Sequence, residues 1–201
     1  MKKILVVESS PRGKISITRA LTSEILKTLK AANPDAHVIV RDLDSPQTPH
    51  LTSAQTTAIL IPSENRTALD QEALHYSDEL VKEVLDADII VIGAPMYSFS
   101  IPSNLKVWLD LISRPRVTFQ YTPEGPVGLV KGKKVYLAVA TGGVYSQGPQ
   151  KAYDFLVPYL STVLEFMGMA DITTIRVEGV ALPEFQREKA LELALQKAKL
   201  S

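Results

Sequence analysis

The sequence predicts an α/β sandwich of three layers around a five-stranded parallel sheet. Two observations predict it. Short β-branched runs recur along the 201 residues, and amphipathic helical segments separate them. The regular alternation of strand and helix is the signature of a doubly wound sheet with helices on both faces.

The strands are expected at "KILVV" (3–7), "HVIVR" (37–41), "DIIVIGA" (88–94), "KVYLAVA" (134–140) and "ITTIRV" (172–177). The first, third and fourth are almost continuously apolar, as for parallel strands buried on both faces. Between strands one and two, Ala20, Leu21, Ile25, Leu29 and Ala32 share a helical face over 17–32. Leu69, Ala73, Tyr76, Leu80 and Val84 do the same over 68–86. A helix starting near Pro102 runs to about 112. Residues 151–168 carry a run from Ala152 through Phe155, Leu156, Tyr159, Leu160 and Val163 to Met167, with Pro158 expected to kink the helix and Gly168 to stop it. A last helix is expected over 183–200. Five strands in this arrangement fit the order 2-1-3-4-5. The whole chain, 1–201, reads as a single domain.

Two insertions interrupt the alternation. Residues 43–67 form a connection rich in Pro, Thr and Ser, with room for one helical turn. Residues 113–133 hold two short apolar runs around "TPEGP", a hairpin-like insertion turning at Pro123, Glu124 and Gly125.

Composition narrows the function. Lys+Arg and Asp+Glu both number 22, and the formal net charge is zero, against general nucleic-acid or anionic-membrane binding. There is no cysteine, so thiolate chemistry, disulfides and Cys-based metal sites are excluded. No apolar run reaches the ~18 residues of a membrane span. The apolar part of "MKKILVVESS" is too short for a signal peptide, and a cytoplasmic protein is expected.

In such a sheet, ligands sit beyond the carboxyl ends of the strands, where the strand order reverses. Three loops converge there. The first, "ESSPRGKISIT", offers hydroxyls at Ser9, Ser10, Ser16 and Thr18 before a helix whose N-terminal N–H groups suit a phosphate. Ser16 also reads as a plain helix cap, and the two roles are compatible. The loop is neither a Walker A nor a GxGxxG fingerprint, which leaves a mononucleotide-sized ligand. The second, "IGAPMYSFSIPSNLKVWLD", places Met96, Tyr97 and Phe99 where a strand-to-helix turn is ordinarily polar. These residues suit the wall of a planar heterocycle, or packing against the next helix or a partner subunit. The third, "ATGGVYSQGP", has paired glycines that allow close backbone approach to a flat ligand, or merely a turn.

Taken in order, "SS…SIT", "APMYSFSIPSNLKVWLD", "VTFQYTPEGPVGLVKGKK", "TGG" and "PYLSTVLEFMG" resemble the FMN-dependent NADH-azoreductases of the flavodoxin-like quinone reductase group. The resemblance covers essentially the whole chain. It implies a flavodoxin-like fold, a homodimer, and FMN bound near the subunit interface. It implies NADH or NADPH as electron donor, and quinones and aromatic azo compounds as acceptors, in a ping-pong cycle. Its phosphate contacts carry over to Ser10, Ser16, Ile17 and Thr18. Its ring contacts carry over to Pro95, Met96, Tyr97, Ser98 and Phe99 on one side, and to Ala140, Thr141, Gly142 and Gly143 on the other. The hairpin 117–130 is expected to reach the partner's site, with Phe119 and Tyr121 stacking on substrate. Departures from the family pattern fall at Ile17, Ser98 and Thr141. No nucleophile, triad or metal is expected, since His37, His50 and His75 fall in a strand, a linker and a helix. The alternatives are a flavodoxin-like electron carrier and a flavin-binding sensor without turnover.

Overall fold

The computed structural model describes residues 1–45 and 48–197. Strands β1 (Lys3–Glu8), β2 (His37–Asp42), β3 (Ile89–Pro95), β6 (Lys134–Ala140) and β7 (Asp171–Val177) form one parallel sheet in the order β2-β1-β3-β6-β7. Setting aside the antiparallel hairpin of β4 (Phe119–Thr122) and β5 (Gly125–Gly128), this is the expected order 2-1-3-4-5. The inner strands β1, β3 and β6 are buried along nearly their whole length, whereas the edges β2 and β7 are only partly covered.

The pleat of the sheet divides the core in two. Ile4 and Val6, Ile89 and Val91, and Tyr136 and Ala138 face α1 (Ile17–Ala32) and α6 (Arg187–Lys197). Leu5 and Val7, Ile90 and Ile92, and Leu137 and Val139 face α3 (Ala68–Asp86), α4 (Ser103–Ile112) and α5 (Leu156–Phe166). Such alternation follows from the two-residue period of a strand. On α1, Leu21, Ile25 and Leu29 are at most 2% exposed, each contributing about 1.5–3 kcal/mol through burial. Among the described residues no helix is long and apolar enough to cross a membrane.

Two expectations need correction. The connection 43–67 holds more than one turn. Its helix α2 (Ser53–Leu60) packs on α3 and opens with a capping box between Thr52 and Gln55. Nor is 151–168 one kinked helix. A short 3-10 segment, Pro149–Tyr153, ends at Asp154, whose Oδ1 accepts the backbone N–H groups of Leu156 and Val157, both at 3.1 Å. Helix α5 starts only there, so Pro158 falls in the first turn, where a missing N–H costs no helical hydrogen bond. The last helix begins at Arg187, and the expected stretch beyond residue 197 lies outside the described residues.

The hairpin is docked rather than free. The Arg114 side chain is 2% exposed and donates to Ser77 Oγ (2.7 Å) and Asp78 Oδ1 (2.8 Å) on α3. Val130 N–H donates to the Met167 carbonyl at 2.9 Å.

Candidate functional site

At the carboxyl ends of β1, β3 and β6 lies a cleft of about 450 Å³, within the usual range for small-molecule sites. It is lined by Ser10, Ser16, Ile17, Thr18, Pro95, Met96, Tyr97, Ala140, Thr141 and Gly142 of the expected residues. The sequence reading missed two others, Arg12 and Val180. Arg12 stands in the first loop beside the hydroxyls and was readable as a cation. Val180 follows β7 and carried no local signal.

One wall is the start of α1. Ser16 caps the helix, its Oγ accepting from Arg19 N–H at 3.2 Å and lying 3.0 Å from Thr18 Oγ1. The N–H groups of Ile17 and Thr18 have no protein partner among the described residues, as the first turn of a helix dictates. The Ile17 side chain belongs to the core beneath, and only its backbone donor is offered to a ligand. The loop is braced from outside. Arg19 donates to the Ser10 carbonyl at 2.9 and 3.1 Å and to Asp42 at 2.7 and 2.8 Å. Its hydrogen bonds hold the Asp42 carboxyl below the usual range, although burial works against that.

A buried acid lies beneath this wall. Glu8 is 7% exposed, accepts from Thr22 Oγ1, and has a second carboxylate oxygen with no partner. Burial pushes its pKa up, opposed by the Thr22 hydrogen bond and the Arg19 charge and reinforced by Asp42.

The second wall is a two-residue hairpin turn. Tyr97 and Ser100 exchange both backbone hydrogen bonds at 2.9 Å, with Ser98 (φ 46°) and Phe99 (φ 70°) between them. Both are left-handed, the geometry of a type I′ turn, which ordinarily selects Asn and Gly. Two side-chain-bearing residues held there store strain at the cleft mouth. Tyr97 and Phe99 are consequently turned outward, 40% and 46% exposed. Met96 instead leans on the core, its N–H bonded to the Ala140 carbonyl at 2.9 Å.

The third wall is the end of β6. Thr141 N–H is spent on the Val177 carbonyl, and its Oγ1 on the Gly143 carbonyl at 2.8 Å. The N–H groups of Gly142 and Gly143 have no protein partner among the described residues, nor do those of Ser98 and Phe99. Ser98 lies on the far side of Tyr97, in an adjoining cavity of about 700 Å³. Phe99 and Gly143 stand at the mouth rather than in the lining, near Tyr145.

The hairpin pair divides. Phe119 is 7% exposed, its ring 4.6 Å from that of Phe166, so it anchors the hairpin to α5. Of the two rings expected to stack on substrate, only Tyr121, 75% exposed, is presented to solvent.

Comparison with known proteins agrees with this geometry. A family model described as flavodoxin-like fold matches residues 2–200. An FMN-dependent NADH:quinone oxidoreductase of Herminiimonas arsenicoxydans is 49% identical over 191 residues, covering 95% of this chain and 94% of that protein. One from Agrobacterium fabrum is 46% identical, covering 96% and 95%. The crystal structure of an azoreductase from Bacillus anthracis superposes with a TM-score of 0.89 at 30% identity, covering 98% of this chain and 96% of that one. With the sheet order, the cleft and these relatives in agreement, the chain belongs to the flavodoxin-like fold family and, within it, to the FMN-dependent NADH:quinone oxidoreductases and azoreductases.

Proposed function

We propose that this chain is an FMN-dependent oxidoreductase. It takes electrons from NADH or NADPH, reduces quinones by two electrons, and reductively cleaves aromatic azo compounds in a ping-pong cycle. The observation that carries the reading is the meeting of three loops on one cleft, with donors matched to the two ends of FMN. The phosphate end would be held by the free N–H groups of Ile17 and Thr18, the hydroxyls of Ser10, Ser16 and Thr18, and Arg12. The ring would rest against Pro95, Met96, Tyr97 and Ala140, with Gly142 admitting close backbone approach. The relatives named above are enzymes rather than electron carriers, which supports turnover over a carrier role.

When bound, FMN supplies the hydride and two-electron chemistry. The chain's own residues bind, orient and shield. The N–H group of Gly142, which lines the cleft and has no protein partner among the described residues, would donate where negative charge gathers on a reduced ring. It sits in the loop after β6, where the bond from Ala181 N–H to the Gly142 carbonyl at 3.0 Å holds the backbone, so little reorganisation accompanies the donation.

We place this activity in a single domain spanning 1–201, in a homodimer, and in the cytoplasm. Tyr121 leaves apolar area exposed that a second subunit would cover. Tyr121 would then line the partner's site. The test is an absorption spectrum of the FMN-reconstituted protein before and after anaerobic NADH. Flavin bands should bleach rapidly and return on adding benzoquinone. A protein that takes up no FMN, or holds it unreduced by NADH and NADPH alike, overturns the proposal.

A further inference from the structure

Phe99 does not stand alone at the cleft mouth. Its ring centroid is 5.6 Å from that of Tyr153 and 6.3 Å from that of Tyr145, the latter edge-on at 68°. The Phe99 carbonyl accepts Phe155 N–H at 3.1 Å, tying the strained turn to the start of α5. Tyr153 is 54% exposed. Tyr145 lies over Gly143, where a Cβ would sit 3.3 Å from its ring. Three aromatic rings from three separate segments thus form one wall, beside the free N–H groups of Gly142 and Gly143.

Loops of this kind ordinarily wander, and a charged network beneath fixes this one. Glu178, just past β7, accepts Tyr145 N–H at 2.7 Å, Ser146 N–H at 2.9 Å and the Ser146 hydroxyl. Arg176, two residues earlier, lies 3.8 Å from the same carboxylate. Its other nitrogen donates to Asp154 Oδ2 at 2.6 Å. The second oxygen of Asp154 caps α5, directly after Tyr153. The three side chains are only 8–20% exposed. Glu178 therefore holds the Tyr145 loop directly, and Arg176, bonded to Asp154, holds the Tyr153 segment against the edge strand, its charge lying beside the Glu178 carboxylate.

We propose that Glu178, Arg176 and Asp154 are positioning residues for the oxidising substrate. They hold Tyr145 and Tyr153 with Phe99 as an aromatic wall that receives a planar ring of the quinone class. The inference rests on the oxidoreductase reading and adds the residues that orient its acceptor. The chemistry follows from the wall. Aromatic faces and edges bind flat electron-poor rings without demanding a fixed hydrogen-bond pattern, and only a wall held in place contributes fully to affinity.

The test compares Glu178→Ala with Glu178→Gln, whose amide oxygen can still accept both backbone N–H groups. In the FMN-free protein, hydrogen exchange at the Tyr145 and Ser146 amides should accelerate in the alanine variant and stay slow in the glutamine variant. In the reconstituted enzyme, Glu178→Ala should raise KM for benzoquinone about five- to ten-fold, with kcat and the FMN dissociation constant within about two-fold. Glu178→Gln should restore KM. An unchanged KM in the alanine variant despite faster exchange overturns the proposal. So does a parallel rise in KM and the FMN dissociation constant, which would assign the loop to the cofactor. Equal impairment in both variants overturns the acceptor role of Glu178. Failure of the functional reading appears in the wild type, as an FMN-loaded protein that does not reduce benzoquinone. Failure of the positioning role appears only in the variants.

Discussion

Glu8 shows at the residue scale how a buried group bears on the site. Thr22 on α1 donates to it, and its second oxygen lies against Gly93 on β3. Its pKa is raised above 4.5 in the fold, mainly by burial. A raised acid favours the folded state fully below its unfolded pKa, and that contribution is lost as pH rises towards the folded pKa. Glu8→Gln removes the titration and keeps an oxygen to accept from Thr22. Denaturant unfolding of both proteins should give curves whose difference grows in favour of the variant as pH rises from about 4.5 through the raised pKa. A difference independent of pH would mean that Glu8 ionises as freely in the fold as in the unfolded chain. Neither the raised pKa nor its cause was readable locally. "VVESS" reads as a strand running out into a polar loop, and only the return of β3 and α1 closes over the acid. The hydroxyls around it were legible because a phosphate loop is a contiguous segment. The Glu178 tether was not, because its donors lie 33 and 32 residues away.

At the scale of the element, the hairpin was legible from "TPEGP" and its flanking apolar runs, but its docking was not. Gly128 ends β5 against the end of α5. A Cβ there would lie 2.2 Å from the Gly168 nitrogen and 2.4 Å from the Met167 carbonyl carbon. These are backbone atoms that cannot rotate aside. Gly128→Ala must therefore push the hairpin off α5, and overpacking of this kind costs about 1–3 kcal/mol. Calorimetry should show a lower Tm, and quinone turnover should fall with it if the hairpin's placement matters to the site. Unaltered stability would mean that the hairpin rides loosely on the domain. The same limit explains the two misread helices. Apolar periodicity runs through Asp154 without a break, and only its bonds to Leu156, Val157 and Arg176 reveal the interruption. In α2 the Thr52 to Gln55 capping box was present in the sequence, but the polar composition of 43–67 masked it.

For the whole molecule, the question is whether Tyr121 serves its own chain or, in the proposed homodimer, the partner's. Its ring is 75% exposed and packs edge-on to Phe119, while Phe119 is rooted in its own core. A side chain so presented contributes little to its own fold. If it completes the partner's site, Tyr121→Ala should lose quinone turnover while retaining FMN. A second variant, Ser10→Asp, should fold but reject FMN. Its carboxylate would stand where the phosphate belongs, stabilised by the Arg12 N–H that Ser10 Oγ now accepts at 3.4 Å and by the positive end of α1. Each homodimer alone should be nearly inactive. Mixing and re-equilibrating them should restore activity. In a mixed dimer, the FMN-holding site of the Tyr121→Ala protomer receives an intact Tyr121 from the Ser10→Asp protomer. With random pairing, half of the dimers are mixed and each has one complete site, so recovery should approach about a quarter of wild-type turnover per total protomer. No recovery, with mixed dimers demonstrated by mass spectrometry, would place Tyr121 in its own protomer's site or in neither.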